Sequence, residues 1–330
     1  MGAVQQDFLS VRDLFVNYET SEANVHAVNG VSFNLEKGKT LALVGETGAG
    51  KTTIARSILR VLPNPPAKIK GGQILFEGKN LLELPEDEMR RVRGSKITMI
   101  FQDPMTALNP VMYVGDQIAE VVEEHGESKA QARKRAIEML ETVGIPAERY
   151  EEYPHQFSGG MRQRVVIAIA LACSPGLLLA DEPTTALDVT IQAQVLDLMR
   201  KLNSTLQTSM LLITHDLGVV AEMCDDVAIV YAGQILEIGS KEDIFDHPAH
   251  PYTLGLFGAI PEMDTDSERL SPISGFPPDP TDLPGGCCFN PRCPQVRDEC
   301  RNATIGMAEI SQGHFCRCLN VKESNNANPG

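Results

Sequence analysis

With 330 residues and a formal net charge of −15, the chain can hold one large domain with an extension, or two domains. It is not built as a general nucleic-acid binder, which needs clustered Lys and Arg against phosphate. Its small basic cluster, Arg90, Arg91, Arg93 and Lys96, reads as a solvated helix face.

Phe8–Tyr18 and Ala27–Leu35 predict strands. Gln6 stands where a myristoylation motif wants Ser or Thr, and the N-terminus has no basic region followed by an apolar core. Leu41–Val44 is a short apolar run that predicts a buried strand, and Thr52–Leu62 carries apolar residues at helical spacing. Asn64–Gly72 reads as a turn-rich connector, Gly72–Phe76 as strand, and Ile97–Phe101 as a strand ended by Gln102-Asp103-Pro104. Helices are predicted over Val114–Glu124, Lys129–Val143 and after Gly160, with strands again at Leu177–Ala180, Met210–Thr214 and Val227–Tyr231. Helices inserted between strands predict a subdomain over about 103–173. The longest apolar run, Val165–Cys173, is far short of the ~20 residues that cross a bilayer and reads as buried helix. The expected location is the cytoplasm, with any membrane role exerted through partners. Beyond Tyr252 the character changes: Pro, Gly and Asp dominate Ser271–Gly286, and Lys322–Gly330 has the polar composition of a disordered tail.

Gly45–Thr52 reads GETGAGKT. Between a buried strand and a helix, glycines at these positions let successive backbone N–H groups curve around phosphate oxygens, and the helix directs its positive end at the same charge. The candidate nucleotide contacts are Gly45, Glu46, Thr47, Gly48, Ala49, Gly50, Lys51, Thr52 and Thr53. Lys51 would reach the β- and γ-phosphates, and Thr52 would coordinate Mg²⁺. Asp181 closes the apolar run Leu177–Ala180, at the end of a strand where open α/β sheets bind ligands. It fits a carboxylate holding Mg²⁺, and Glu182 is positioned to polarise an attacking water.

On these residues the chain resembles the ATP-binding cassette (ABC) ATPases over its first three quarters. FSGGMRQR (Phe157–Arg164) is similar to the family signature, with Phe157 in place of Leu and Met161 in place of Gln. The resemblance implies an α/β ABC-type P-loop ATPase core, RecA-like with an antiparallel β subdomain, plus a helical subdomain and a small Cys-rich extension. The cassette is expected over 1–255 and the extension over 256–330. By the same resemblance Tyr18 stacks on adenine. Gln102 contacts Mg²⁺ and joins the nucleotide site to membrane subunits. Ala186-Leu187-Asp188 crosses the dimer interface, and His215 is the switch histidine. Ser158, Gly159 and Gly160 bind the ATP held by a partner chain.

QDPMTALNPVM, YPHQFSGGMRQR, HPAHPYTLGLF and the Cys-bearing tail look like ATP-binding subunits of oligopeptide, dipeptide and nickel importers, and VLPNPPAKIKGGQILFEGKNLL resembles the D-type subunit. The implied partners are a second, F-type ATPase subunit, two transmembrane permease subunits and, indirectly, an extracytoplasmic substrate-binding protein, with the chain peripheral on the cytoplasmic membrane face. A nickel or metal-complex importer is one alternative. Another is a soluble ABC ATPase acting on nucleic acid or the ribosome, against which stand the single cassette and the absence of sustained heptads.

Of eight Cys, Cys173 and Cys224 read as core residues and the rest crowd between Cys287 and Cys318. In a reducing cytosol such a cluster points to metal rather than disulfides. By position in the resembling tails, Cys287, Cys293, Cys300 and Cys318 are the ligands of a [4Fe–4S] cluster. Zn²⁺ remains the alternative, although its usual short Cys-x-x-Cys knuckles are missing. Cys288 and Cys316 are extra thiols. A structural staple for the tail is the plain reading, and a regulatory iron–sulfur module the sharper one.

Overall fold

The computed structural model describes residues 8–185, 187–259 and 273–321. Strands β1 (Leu9–Glu19), β2 (Asn24–Leu35) and β3 (Thr40–Val44) lead into α1 (Lys51–Leu59). Next come β4 (Ala67–Phe76), β5 (Lys79–Asn80), α2 (Glu86–Val92) and β6 (Ile97–Ile100). Helices α3 (Pro104–Ala107), α4 (Val114–Glu124), α5 (Lys129–Thr142) and α6 (Gly159–Leu171) follow without an intervening strand. The chain then alternates through β7 (Leu177–Asp181), α7 (Val189–Leu206), β8 (Ser209–Thr214), α8 (Leu217–Met223) and β9 (Asp226–Tyr231). It continues with β10 (Gln234–Ser240), α9 (Lys241–Asp246), α10 (Pro251–Gly258), α11 (Glu299–Asn302), β11 (Ala308–Ser311) and β12 (His314–Cys316).

Two compact units emerge, one built mainly on Phe76–Thr214 and the other on Ser10–Asn34, Leu41–Leu75 and the described residues from His215 onward. In the first, β6, β7 and β8 run parallel, with Ile97 opposite Leu177 and Leu177 opposite Ser209. Every residue of β7 and β8 is buried, the unbroken pattern of parallel strands covered on both faces. Helix α6 buries Val165, Ile167, Ala168 and Leu171 completely, so the apolar run is a core helix as expected. Ser128 and Gln131 form a reciprocal capping box at the start of α5.

In the second unit β3 pairs in parallel with β9, and β10 pairs antiparallel with both β9 and β12. Ala232 and Gly233 join β9 to β10 with φ of 46° and 74°, the left-handed pair that a tight two-residue hairpin requires. The Cys-bearing segment therefore enters the sheet through β12, with Glu237 opposite Cys316.

The Asn64–Gly72 connector is corrected: its second half is strand from Ala67. Lys68 and Lys70, two apart and so on one face, both ion-pair with Glu19 of β1. Helix α1 stops at Leu59 rather than Leu62 because Arg60 takes a left-handed φ of 53° and donates its N–H back to Ser57. The polar tail 322–330, Gln6, Ala186 and, of the Pro-rich stretch, Ser271 and Pro272 lie outside the described residues.

Candidate functional site

The phosphate loop is shaped by close backbone approach. A Cβ on Gly45 would overlap the Val230 carbonyl oxygen. At Gly50 it would overlap the Ala27 carbonyl oxygen, and φ is 96° there; only Gly meets both demands. Gly50 is the N-cap of α1 without any side-chain capping bond, and the first turn has no acidic residue. With a glycine cap and no acid nearby, the start of α1 keeps the positive end of a helix for an anion.

Lys51 is 6 % exposed. Its Nζ donates to the carbonyls of Gly45 at 2.7 Å and Glu46 at 2.9 Å, which folds the cation over the loop that precedes it. Tyr18 Oη lies 3.2 Å from Thr53 Oγ1, so the predicted adenine-side aromatic does meet the loop's helix. His215, exposed just beyond β8, lines a cleft of about 380 Å³ with Gly45, Glu46 and Asp216. Asp216 caps α8, accepting from the N–H groups of Gly218 and Val219.

Glu46 is held by two residues whose roles the sequence did not reveal. Its N–H donates to Tyr252 Oη at 3.0 Å. Its carboxylate takes two bonds from Arg292, at 2.8 and 3.1 Å. Tyr252 is fully buried and, with Tyr231 and Phe289, forms an aromatic cluster with centroid separations of 4.6 to 5.3 Å. Burial pushes the Tyr231 phenol up, against the Arg292 hydrogen bond.

In the other unit Asp181 ends β7 and is 1 % exposed. The next residue, Glu182, has a left-handed φ of 47°, a conformation a long side chain adopts only under constraint. Its N–H donates to Ile213 O at 2.9 Å. Its Oε2 accepts from Gln102 Nε2 at 2.8 Å and from Thr185 Oγ1 at 3.0 Å. The structure thus brings together two residues singled out separately, and adds Thr185.

The signature segment opens α6. Ser158 is the N-cap, its Oγ accepting from the Met161 N–H at 3.4 Å. Ser158 and Gly159 are exposed and Gly160 is buried, where a Cβ would overlap Ile191 Cγ2. The two departures from the family pattern share one partner. The Arg149 guanidinium lies over the Phe157 ring, 4.2 Å from its centroid, and Arg149 Nη1 approaches Met161 Sδ at 3.2 Å. Glu152 orients that guanidinium from 2.6 Å. Asp188 caps α7 through the Ile191 N–H at 3.0 Å.

In the tail, Cys287 is pushed up to about 11 by burial, with further upward pressure from Cys293, Cys318 and Cys300. Burial likewise raises Cys293 and Cys318. Four thiols in one short segment are a donor set for a soft cation, which would bind them as thiolates and displace their protons. Mutual influence is weaker than convergence, and among the described residues no three His, Cys, Asp or Glu side chains converge as a metal centre. Cys288 is set apart, its thiol facing the Tyr231 carbonyl at 3.7 Å. Cys224 is buried and pushed up to about 12, as a core thiol should be, and Cys173 is half-buried. No described cysteine is disulfide-bonded.

The tail is tied to the sheet by Glu237, which is fully buried on β10. Its carboxylate accepts from the N–H groups of Ala249 and His250 at 2.7 and 2.9 Å, from Thr253 Oγ1 at 2.5 Å and from His314 Nε2 at 2.8 Å. Among the described residues no helix is long and apolar enough to cross a membrane.

Comparison with known proteins agrees with this geometry. Residues 28–185 match the family model "ABC transporter", and residues 236–300 match "Oligopeptide/dipeptide transporter, C-terminal region". The chain is 52 % identical to the dipeptide transport ATP-binding protein DppD of Bacillus subtilis, over 94 % of this chain and 93 % of that one. It is 55 % identical to the oligopeptide transport ATP-binding protein OppD of the same organism, over 94 % and 87 %. Among solved structures it resembles the dimeric bacterial ABC transporter cassette MJ0796, with a TM-score of 0.63 and 27 % identity over 71 % of this chain and 98 % of that one. The P-loop, the ordered Glu182 and the C-terminal match together make the chain a member of the ABC transporter ATP-binding proteins, in the branch that carries the oligopeptide/dipeptide C-terminal region.

Proposed function

We propose that this chain is the ATP-hydrolysing subunit of a membrane importer for di- or oligopeptides. The observation that carries the reading is the hydrogen bond from Gln102 to Glu182, in a chain whose C-terminal region matches that of peptide transporters. In this reading the cassette occupies 1–255, with a helical subdomain over about 103–173, and the extension occupies 256–330.

ATP binds with its adenine against Tyr18 and its phosphates on the amides of residues 45–53. Lys51 meets the β- and γ-phosphates. Thr52, Gln102 and Asp181 serve Mg²⁺, which neutralises charge on the transferring phosphoryl group. Glu182 orients the attacking water, and His215 contacts the γ-phosphate. Ser158, Gly159 and Gly160 complete the site of a second, F-type ATPase subunit, whose own signature completes this one. A nucleotide that touches both subunits only when they close stabilises the closed state. Turning a mostly open pair into a mostly closed one takes ~5.5 kcal/mol of differential binding. Hydrolysis removes that preference, and two permease subunits on the membrane convert the cycle into transport, fed by an extracytoplasmic binding protein.

Cys287, Cys293, Cys300 and Cys318 hold a [4Fe–4S] cluster that staples the tail. Support comes from the resemblance of the tail and from the approach of two of these residues, the Cys287 N–H donating to the Cys300 carbonyl at 2.8 Å; Zn²⁺ is the alternative occupant for four thiolates.

The test is reconstitution with the two permease subunits and the second ATPase in proteoliposomes. Peptide-loaded binding protein is expected to stimulate ATP hydrolysis severalfold. Stimulation by a nickel complex and none by peptide would replace the peptide reading with a metal-complex importer.

A further inference from the structure

Arg292 reaches the phosphate loop from the Cys-bearing extension, where its next neighbour in sequence is Cys293. Its side chain is 5 % exposed. The guanidinium spends its donors on a defined set of acceptors. Nη1 bonds Glu46 Oε2 at 2.8 Å and Tyr231 Oη at 3.2 Å. Nη2 bonds Glu46 Oε1 at 3.1 Å and the Ile273 carbonyl at 3.3 Å, and Nε bonds the Ser274 carbonyl at 3.0 Å. This is a two-pronged arginine–carboxylate pair, the geometry in which the planar fork fixes direction as well as charge. Burial works against the charged guanidinium, but Glu46 and Tyr231 together outweigh it, so the cation is retained.

Glu46 is the second residue of the loop, and its own carbonyl accepts from Lys51 Nζ. A continuous line of hydrogen bonds therefore runs from Arg292 through Glu46 to the lysine ammonium. A second line runs from Tyr252 to the Glu46 amide. An unneutralised acid in a loop that receives a polyanion would oppose binding, and a lysine whose carbonyl partner wanders would lose its aim.

We infer that Arg292 is a positioning residue for ATP: by clamping Glu46 it neutralises the acid of the phosphate loop and fixes the carbonyl that orients Lys51. The C-terminal extension is thus a working part of the nucleotide site. The inference rests on the proposed reading of residues 45–53 as the ATP cradle.

The experiment measures steady-state ATP hydrolysis by the full-length chain reconstituted with the second ATPase and the permease subunits, with MgATP varied, alongside thermal melting of the chain. Arg292→Ala is expected to raise KM for MgATP about tenfold, which is ~1.4 kcal/mol, while kcat changes less than about threefold. Arg292→Lys restores charge but not the fork, and is expected to recover part of the loss. Should Arg292→Ala fail to fold, Glu46→Gln is expected to raise KM by a similar factor. Combined with Arg292→Lys it should be no worse than the poorer single variant. A melting temperature that falls while KM stays within twofold would reduce Arg292 to a tail support and overturn the inference, as would strictly additive losses in the double variant. Lys51→Ala separates the two levels: if that variant binds MgATP as wild type does, the cradle reading itself fails.

Discussion

Gln102 and Glu182 lie eighty residues apart in sequence, yet the amide of the first donates to the carboxylate of the second across 2.8 Å. Thr185 donates to the same oxygen. Glu182 is thereby aimed by two neutral donors while its backbone sits in a left-handed conformation.

Glu182→Gln retains the shape and an acceptor oxygen for both donors, so the fold and ATP binding should persist. Removing the carboxylate is expected to lower turnover by ~10²–10⁴-fold. Gln102→Ala removes one orienting bond, worth ~1 kcal/mol, and should lower turnover several-fold. Phosphate release and nucleotide binding, measured on the same samples, check both. Turnover near wild type in Glu182→Gln would remove this residue from the chemistry.

Two glycines of the same loop should respond differently to alanine. At Gly48 nothing lies within 4 Å of an added Cβ, and only the φ of +81° resists. Gly50 adds to its own positive φ a collision with the Ala27 backbone. Gly48→Ala is expected to cost about 1 kcal/mol and Gly50→Ala about 2–3 kcal/mol or more. Urea denaturation midpoints decide it, and equal losses would contradict the packing described around Gly50.

Anaerobically purified protein should contain iron and acid-labile sulfide and show a broad visible absorption. Serine at Cys287, Cys293, Cys300 or Cys318 should abolish both signals, while serine at Cys288 or Cys316 should not. Cys288 belongs to the Tyr231 carbonyl. Zinc at about one equivalent without visible colour would select the other occupant, and chelation should then lower the melting temperature.

Acid should act partly through His250. Its Nδ1 accepts from the Tyr252 N–H at 3.0 Å, and burial depresses its pKa from 6.5 to about 3. The unfolded chain therefore binds a proton between pH 6.5 and 3 that the folded chain refuses. This group's stability contribution is complete above pH 6.5 and declines as pH falls through that window. Asn at this position keeps an acceptor for the cap and does not titrate. Relative to wild type, His250→Asn is expected to gain stability steadily from pH 7 to pH 4, and a pH-independent difference would refute the assignment.

The phosphate loop was legible because its physics is local: glycines, a lysine and a helix start lie within a few residues. Asp181 was legible because an acid stands out after four buried apolar residues. The second half of the connector was misread because Pro and Gly mask a strand whose partner, Glu19, lies far upstream. Strand β10 escaped notice because QILEIGS places a charged residue in its middle. That charge is tolerable only with donors from Ala249, His250, Thr253 and His314, which no local window contains. Arg149 was invisible for the same reason, since its two clients lie in the signature segment.

Glu237 has an implication for biogenesis. The acid leaves the ribosome 77 residues ahead of its histidine partner. Until that partner emerges, a nascent chain folding from its N-terminal end must leave this carboxylate hydrated, or wait. The nearby donors at 249–253 arrive first and the histidine last, so the cysteine-bearing strand supplies the final donor to a buried acid that every earlier stage must keep hydrated or leave unfolded.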